Sequence, residues 1–506
     1  MQLAFARKAA QEKRRELLEG KGRPILTAEV GGQRAIVVGS EILFVRDCRT
    51  FSDFLFDYVR QLFGRDWWLA EVAKPTEQWH PVMTWHESVA HLQRRQATQP
   101  AGTVYSAPLT VAARLLLQLA YDLYTLSHNL TVRDTLLQRL RGPVQFPGAC
   151  YEAHVAASLV RAGFDVAFED EADRSTSHCE FTAIHRPTGR HFSVEAKHRD
   201  RAPPVGSRTG HRLVGNRLRK ALQKRALHDR VVFLDVPVAH VADGVLPEEY
   251  RQVLGYFRTY ERQRQQHKAY VVVTNVLDVR DLDSTSVPWV GMQDSIGIPD
   301  ARLHATFRTI GEARASRAQH QAMLDLVEAM RLHHEIPSTF DGEFPEFAFE
   351  QSHPRLIVGQ RYNVPDKDGQ TVAGILLSAT VLESEKKAAG VYELDDGRRV
   401  ICTTPLTEAE MRAYRRQPET FFDVIQYVGS VSDPNDVLAK YDFLMATYGT
   451  ASKDTLLGFM KGSPNFGRLE RLDQATLAHL YCEQMAHQMV RRHQEDRGRR
   501  RPGPTP

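Results

Sequence analysis

The sequence predicts a multidomain protein of mixed α/β and α+β class. Three observations carry that expectation. The chain has 506 residues and is 42% hydrophobic, more than one ordinary core accommodates. Through its middle, apolar-striped helices alternate with short strands, the order that builds a mixed sheet flanked by helices. From Leu356 to Pro405 the pattern changes to four or five short strands with Asp368-Gly369 and Asp396-Gly397 turns, which predicts a small β-barrel.

Residues 1–20 read as a charged helix with a thin stripe of Leu3, Ala6, Ala10 and Leu17, a solvated or docking element. Three short strands follow at Pro24–Val30, Gln33–Val38 and Glu41–Val45, separated by Gly31-Gly32 and Gly39-Ser40. Thr50 is placed to cap a helix whose stripe runs Phe51, Phe54, Leu55, Tyr58, Val59, Leu62, Phe63, ending at Gly64. Trp67, Trp68, Trp79 and Trp85 crowd the next stretch. Beside Arg65, Lys74 and His80 they could stack on bases, but a Trp-rich core is the better account because tryptophan is mostly buried. Val111–Arg141 predicts one long or two shorter helices, with a break at Asn129-Leu130-Thr131. Residues 1–142 are therefore assigned to an α+β domain without a visible catalytic set.

Gly142-Pro143 and Pro147-Gly148 open the next region. A helix from Pro147 to Gly163 carries Glu152 and a buried stripe of Tyr151, Val155, Leu159 and Ala162. Phe164–Phe168 is a strand, and Glu169, Asp170, Glu171 and Asp173 form an acidic loop. Two alternating strands, His178–Ile184 and Phe192–His198, are joined by the turn Arg186-Pro187-Thr188-Gly189. His211–His228 is a basic helix bearing Arg212, Arg217, Arg219, Lys220, Lys224 and Arg225. It lacks acidic partners one turn away, so salt-bridge lacing cannot explain its charge. Contact with a phosphate backbone can. Apolar strands at Val231–Val236 and Ala269–Thr274 enclose a helix at Pro247–Gln266, which fits a sheet with parallel pairs.

The chemistry concentrates in Phe192–His198. Glu195 and Lys197 are two apart, so both side chains leave the strand on one face. A carboxylate there can hold a hard cation, while an ammonium beside it steadies an attacking water or a developing anion. Glu180 lies in the preceding strand, near enough across the hairpin to share that cation, and Glu152 is the third acid. This order of helix with Glu, strand, strand with an acid, strand with Glu-x-Lys and basic helix resembles the PD-(D/E)xK nuclease superfamily. The resemblance covers residues 145–275. It implies a restriction-endonuclease-like mixed sheet, with Glu180 as the first acid, Glu195 and Lys197 as the (D/E)xK pair, and Glu152 as the glutamate of the leading helix. It further implies Mg²⁺ or Mn²⁺ held by Glu180, Glu195 and Glu152, with Lys197 at the attacking water. The activity implied is an endonuclease or deoxyribonuclease, DNA ahead of RNA, in restriction or antiviral defence. The family's first acid is usually Asp preceded by Pro. Here it is Glu180 preceded by Cys179, and Asp173 is the alternative. Arg212, Arg217, Arg219, Lys220, Gln223 and Lys224 are the expected nucleic-acid contacts, with Lys220 and Gln223 expected to reach the site.

The remaining expectations follow from composition and spacing. Residues 276–354 read as a helical extension and connector, 355–406 as the barrel-like domain, 407–494 as a helical domain opened by the capping box Thr407–Glu410, and 495–506 as a disordered basic tail. Residues 143–275 form the nuclease-like domain. The net charge of +4 makes any nucleic-acid face local. Five scattered cysteines without a C-x-x-C pair argue against a zinc ribbon or disulfide scaffold and fit a reducing cytoplasm. No apolar run is long enough for a membrane span, and the N-terminus lacks a signal-peptide core. His178, His185, His191 and His198 lack zinc spacing and read as solvated strand ends. No Walker A loop, G-x-S-x-G or dinucleotide fingerprint occurs. A non-catalytic nucleic-acid- or protein-binding scaffold, or a subunit of a larger complex or homo-oligomer, is the competing expectation.

Overall fold

The computed structural model describes residues 2–46, 48–96, 103–104, 107, 109–130, 134–169, 179–198, 208–236, 238, 247–263, 267–275, 282–285, 291–298, 309–333, 335–349, 355–365, 369–426 and 436–499. It is a mixed α/β multidomain structure with three sheets among the described residues. The chain divides into two compact units: residues 1–298 with 325–426, and residues 299–324 with 427–506.

The first unit begins with α1 (Gln2–Glu19) and an antiparallel meander of β1 (Thr27–Val30), β2 (Gln33–Val38) and β3 (Glu41–Val45). Thr50 and Asp53 form a reciprocal capping box at the start of α2 (Phe51–Phe63). Gly64, at φ 84°, turns the chain directly into α3 (Arg65–Val72). α4 (Pro81–Gln96), α5 (Val111–Asn129) and α6 (Asp134–Arg141) follow, so the long helical pattern is two helices. Two of the four clustered tryptophans are core, and Trp67 and Trp79 are half-buried. Trp68 and Trp85 are buried, and Trp67 meets His80 edge-on. His80 and Trp85 both pack on Phe146.

The central sheet has the order β4 (Phe164–Phe168), β5 (Phe181–His185), β6 (Arg190–Lys197), β7 (Asp229–Asp235), β8 (Ala269–Thr274), β9 (Gly291–Ile296). The first three strands and the last pair are antiparallel, while β6, β7 and β8 run parallel. α7 (Phe146–Arg161) precedes the sheet, α8 (Arg208–Gln223) joins β6 to β7, and α9 (Glu248–Gln263) joins β7 to β8. Leu218, Leu222, Phe257 and Tyr260 of α8 and α9 cover Val232, Leu234, Val271 and Val273. Side chains alternate along a strand, so the other face presents Phe233, Asp235 and Thr274. α7 lies over that second face, where Tyr151 Oη is 2.9 Å from Thr274 Oγ1.

Two expectations about division change here. α5 is buried on nearly every side and packs on α7, so residues 1–142 and the central sheet share one core. The sheet also extends past residue 275. β9 was hidden by its polar sequence, in which Asp294 and Ser295 are buried and Ser295 N donates to Asp294 Oδ1 at 2.8 Å.

α10 (Ile310–Leu332) contributes to the second unit through Leu324 and to the first from Asp325. After α11 (Pro345–Phe349), an antiparallel meander of β10 (Arg361–Pro365), β11 (Thr371–Leu382), β12 (Lys387–Leu394) and β13 (Arg399–Pro405) forms the third sheet. A register shift between Leu376 and Ser378 bends it. Cys402 Sγ of β13 comes within 3.5 Å of Pro365 O in β10, yet no ladder joins these strands among the described residues. It is a half-barrel. α12 (Glu408–Arg416) belongs to this sheet, because Met411, Ala413 and Tyr414 share its core with Leu376 and Tyr392. α1 docks on the same region: buried Arg14 lies 3.1 Å from Asp423 and 3.7 Å from Glu343.

The second unit packs α13 (Val437–Tyr448), α14 (Lys453–Phe459), α15 (Phe466–Leu469) and α16 (Gln474–Arg499) around Tyr441, Leu444, Cys482 and Ala486 and a smaller cluster at Leu456 and Leu477. Residues 495–499, expected as tail, continue α16, and 500–506 lie outside the described residues. None of the five cysteines forms a disulfide. No described helix is long and apolar enough to cross a membrane.

Candidate functional site

The hairpin of β5 and β6 sets the geometry. Gly189, at φ 65°, closes the turn, and its N–H donates to His185 O at 2.8 Å. The register places Phe181 opposite Val194, and Glu180 N donates to Val194 O at 3.0 Å. Glu180 therefore stands across from Glu195, on the same face. Glu195 and Lys197 are opposite Val232 and Leu234 in β7, which puts the cluster on the side covered by α8 and α9.

Glu195 is 1% exposed, and its Oε1 pairs with both Lys197 Nζ and, at 2.8 Å, Lys224 Nζ. Lys224 Nζ also lies 3.1 Å from Glu180 Oε1, with Lys197 Nζ 3.9 Å from the same oxygen. Burial pushes the Glu195 carboxyl above its ordinary value, and Glu180 adds to this, while Lys197 and Lys224 oppose it. Burial alone would lower Lys224, but the Glu195 and Glu180 charges outweigh it and hold the ammonium above the usual lysine value. One ammonium thus sits within ion-pair distance of an oxygen from each glutamate, so the two carboxylates address a single cation-sized point.

The structure does not bring Glu152 to this point. Glu152 is on α7, over the opposite face of the sheet, and Arg139 forks onto it at 2.7 and 2.6 Å. Among the described residues, no group of three or more His, Cys, Asp or Glu side chains is placed to hold a metal ion. Asp173, with Asp170 and Glu171, lies outside the described residues. Glu169 is described, and its Oε1 accepts from Thr182 Oγ1 at 2.5 Å. The basic helix also divides differently from the expectation. Arg219, Lys220 and Gln223 are exposed and Arg217 is half-buried, while nothing is described of the Arg212 side chain. Lys224, just past the end of α8, is the residue that reaches the carboxylates.

His198, expected as a solvated strand end, and Asp235, the odd polar residue of the apolar strand Val231–Val236, form a second polar pair. His198 Nδ1 lies 3.0 Å from Asp235 Oδ2, with Asp235 fully enclosed. They sit at the carboxyl ends of β6 and β7, on the α7 face, and the Tyr151 ring is 6.1 Å from that of His198. His198 is thus no solvated strand end, nor is His185, which is buried and bonded to Thr188 and Asp325. His178 lies outside the described residues. An isolated Asp at the end of an apolar strand was the only sequence signal for the pair.

The chain matches no protein-family model, no curated protein and no solved structure. What the site does is therefore argued from its chemistry. Two carboxylates converging on one cation-sized point suit a hard divalent cation by ligand type, since Mg²⁺ is commonly held by one or two carboxylates with water and phosphate completing its shell. Glu180 and Glu195 are the residues that would hold it.

Proposed function

We propose that the chain is a divalent-metal-dependent nuclease acting on DNA, and that the β4–β9 sheet with α7 and α8 is a restriction-endonuclease-like domain. The observation that carries this reading is the convergence of Glu180 and Glu195 on the Lys224 ammonium, with Lys197 alongside. The strand order supports it, as an antiparallel β4–β5–β6 meander followed by a parallel β7 across a helix is the arrangement the resemblance implies.

A bound divalent cation supplies a water of lowered pKa and charge neutralisation at phosphorus. The chain's own groups do the rest. Glu180 and Glu195 hold the negative charge that binds the cation. Lys197, fixed against both, orients a water and stabilises charge developing on phosphate oxygens. Lys224 is exchanged from the carboxylates onto the substrate backbone, a sequence-independent contact continued by exposed Arg219 and Lys220.

A second reading draws on a specific observation. Lys197 and Lys224 already neutralise Glu180 and Glu195, and Arg139 neutralises Glu152. A self-neutralised cluster suits a scaffold that binds nucleic acid without cutting it. Supercoiled plasmid and labelled oligonucleotides incubated with Mg²⁺, Mn²⁺ or EDTA separate the two. The nuclease reading expects metal-dependent cleavage lost in Glu195→Ala and Lys197→Ala. Identical behaviour of wild type and both variants would leave the scaffold reading.

A further inference from the structure

The β1–β2–β3 meander has two faces of unlike composition, and its register sorts them. Ile36, Val38 and Val45 are buried, and by alternation Glu29, Arg34 and Glu41 stand on the same face. That face lies toward the body of the unit: α5 packs on β2, and the Arg34 guanidinium lies 4.4 Å from the Phe340 ring centre. The opposite face carries Ala28, Ala35 and Phe44 in one row, Val37 with Ile42 in the next, and Val30 across from Gln33. Ile42 and Phe44 are each 58% exposed, and Val30 is 54% exposed. Leu26, on this face by alternation with Ala28, is 49% exposed, and its carbonyl accepts from Val37 N at 3.0 Å. We propose that a second copy of the chain covers this face, the two sheets meeting about a two-fold axis.

The pattern is the reverse of a sheet with one wet face, which turns its polar residues outward. Here Glu29, Arg34 and Glu41 are on the inner face, while the outer face holds one amide, Gln33. The nearest charge is Arg46, just past β3, which stands at a corner against the Gln33 side chain. A sheet that is apolar on both faces is built to be covered on both.

Charge and area choose the occupant. The middle of the face offers nothing to an acidic or basic partner, and burying a charge against it would carry an uncompensated desolvation cost. An identical uncharged face meets it without that cost. Four large side chains about half exposed, at roughly 100 Å² each, with their smaller neighbours leave about 500 Å² of apolar surface per copy. Two copies therefore bury about 1,000 Å², the lower bound for a specific interface. Twisted sheets stack about 10 Å apart with their strands within about 30° of each other, and a two-fold axis presents the same patch from both sides. An interface of this size makes a reversible dimer, with dissociation in the range of about 1–100 µM.

Sedimentation equilibrium of the full chain across about 1–200 µM tests the proposal. The weight-average mass is expected to climb from one chain toward two. Phe44→Glu and Ile42→Lys place a charge on the face at exposed positions, so the fold should persist by circular dichroism while dimer affinity falls by about tenfold or more. Ile401→Lys, at a 75% exposed apolar position in β13 of the third sheet, should leave the affinity within about twofold. A wild-type chain that stays monomeric throughout overturns the proposal, as does a dimer that survives both Phe44→Glu and Ile42→Lys, or one that Ile401→Lys weakens equally. Mass is read without metal, nucleic acid or a cleavage assay, so the result is independent of the nuclease reading.

Discussion

Replacing Lys224 with methionine removes the ammonium that Glu180 and Glu195 share. Glu195 is 1% exposed and loses its 2.8 Å partner, and Glu180 loses a contact at 3.1 Å. Removing one partner of a buried pair costs about 3–5 kcal/mol. Lys197 remains beside both carboxylates, and the Lys224 side chain is 21% exposed, so the low end applies, about 3 kcal/mol. At about 2 cal/mol/K of unfolding entropy per residue, a chain of 506 residues loses about 3 °C of melting temperature for that deficit. The folded state raises Lys224, so its stabilisation is complete below the ordinary lysine value and lost only as pH rises through the higher folded value. At neutral pH the whole deficit is therefore visible. Glu195 is also raised in the folded state, which means that folding favours its protonation as pH falls. Protonation removes the uncompensated charge, so the deficit of Lys224→Met should shrink between pH 8 and pH 5. Chemical denaturation in EDTA at both pH values measures this. Equal unfolding midpoints at pH 8, or a deficit that grows on acidification, would refute the shared-cation geometry.

Other expectations follow from the same structure. Glu152→Gln breaks the Arg139 fork and should cost about 1–2 kcal/mol in denaturation, between the values for exposed and buried pairs. Its cleavage rate should stay within about twofold of wild type, because an effect on transition-state charge is at least tenfold and Glu152 is not at the site. Asp122→Asn should cost about 3 kcal/mol at neutral pH, as it strands Arg161 and His154 in the core. Folding lowers the Asp122 pKa, so its stabilisation is present above the ordinary aspartate value and lost as pH falls through the folded one. The variant's deficit should hold from pH 7 to about 5 and narrow below about 4. Arg14→Met removes one of the two guanidiniums that Asp423 and Glu343 share, leaving Arg355, and hydrogen exchange should speed up across α1 (Gln2–Glu19) relative to α5.

The sequence made local elements legible where a local signal set them. Thr50 with Asp53, the Gly189 turn and the alternation in β6 each specify backbone geometry within a few residues. The Glu180–Glu195 pairing was readable for the same reason, as a short hairpin fixes which residues stand opposite. What escaped depended on contacts far apart in the chain. β9 pairs with β8 through backbone bonds that its polar residues do not advertise. The α5–α7 packing merges two stretches that turn signals seemed to separate. Glu152 was grouped with the other acids on sequence order, but the face on which α7 settles is decided by tertiary contacts such as Tyr151–Thr274. Lys224 looked like one charge among many on a basic helix. Its position beside the carboxylates comes from where α8 ends, a boundary that pattern reading places poorly.

On the proposed reading, Glu180 and Glu195 together hold a divalent cation. Anomalous diffraction from crystals soaked in Mn²⁺ tests it most directly. The predicted result is a manganese peak bonded to an oxygen of each glutamate, with the Lys224 ammonium displaced from between them. Lys224 still bridging the two carboxylates in a saturating soak, with no peak at Glu195, would contradict it.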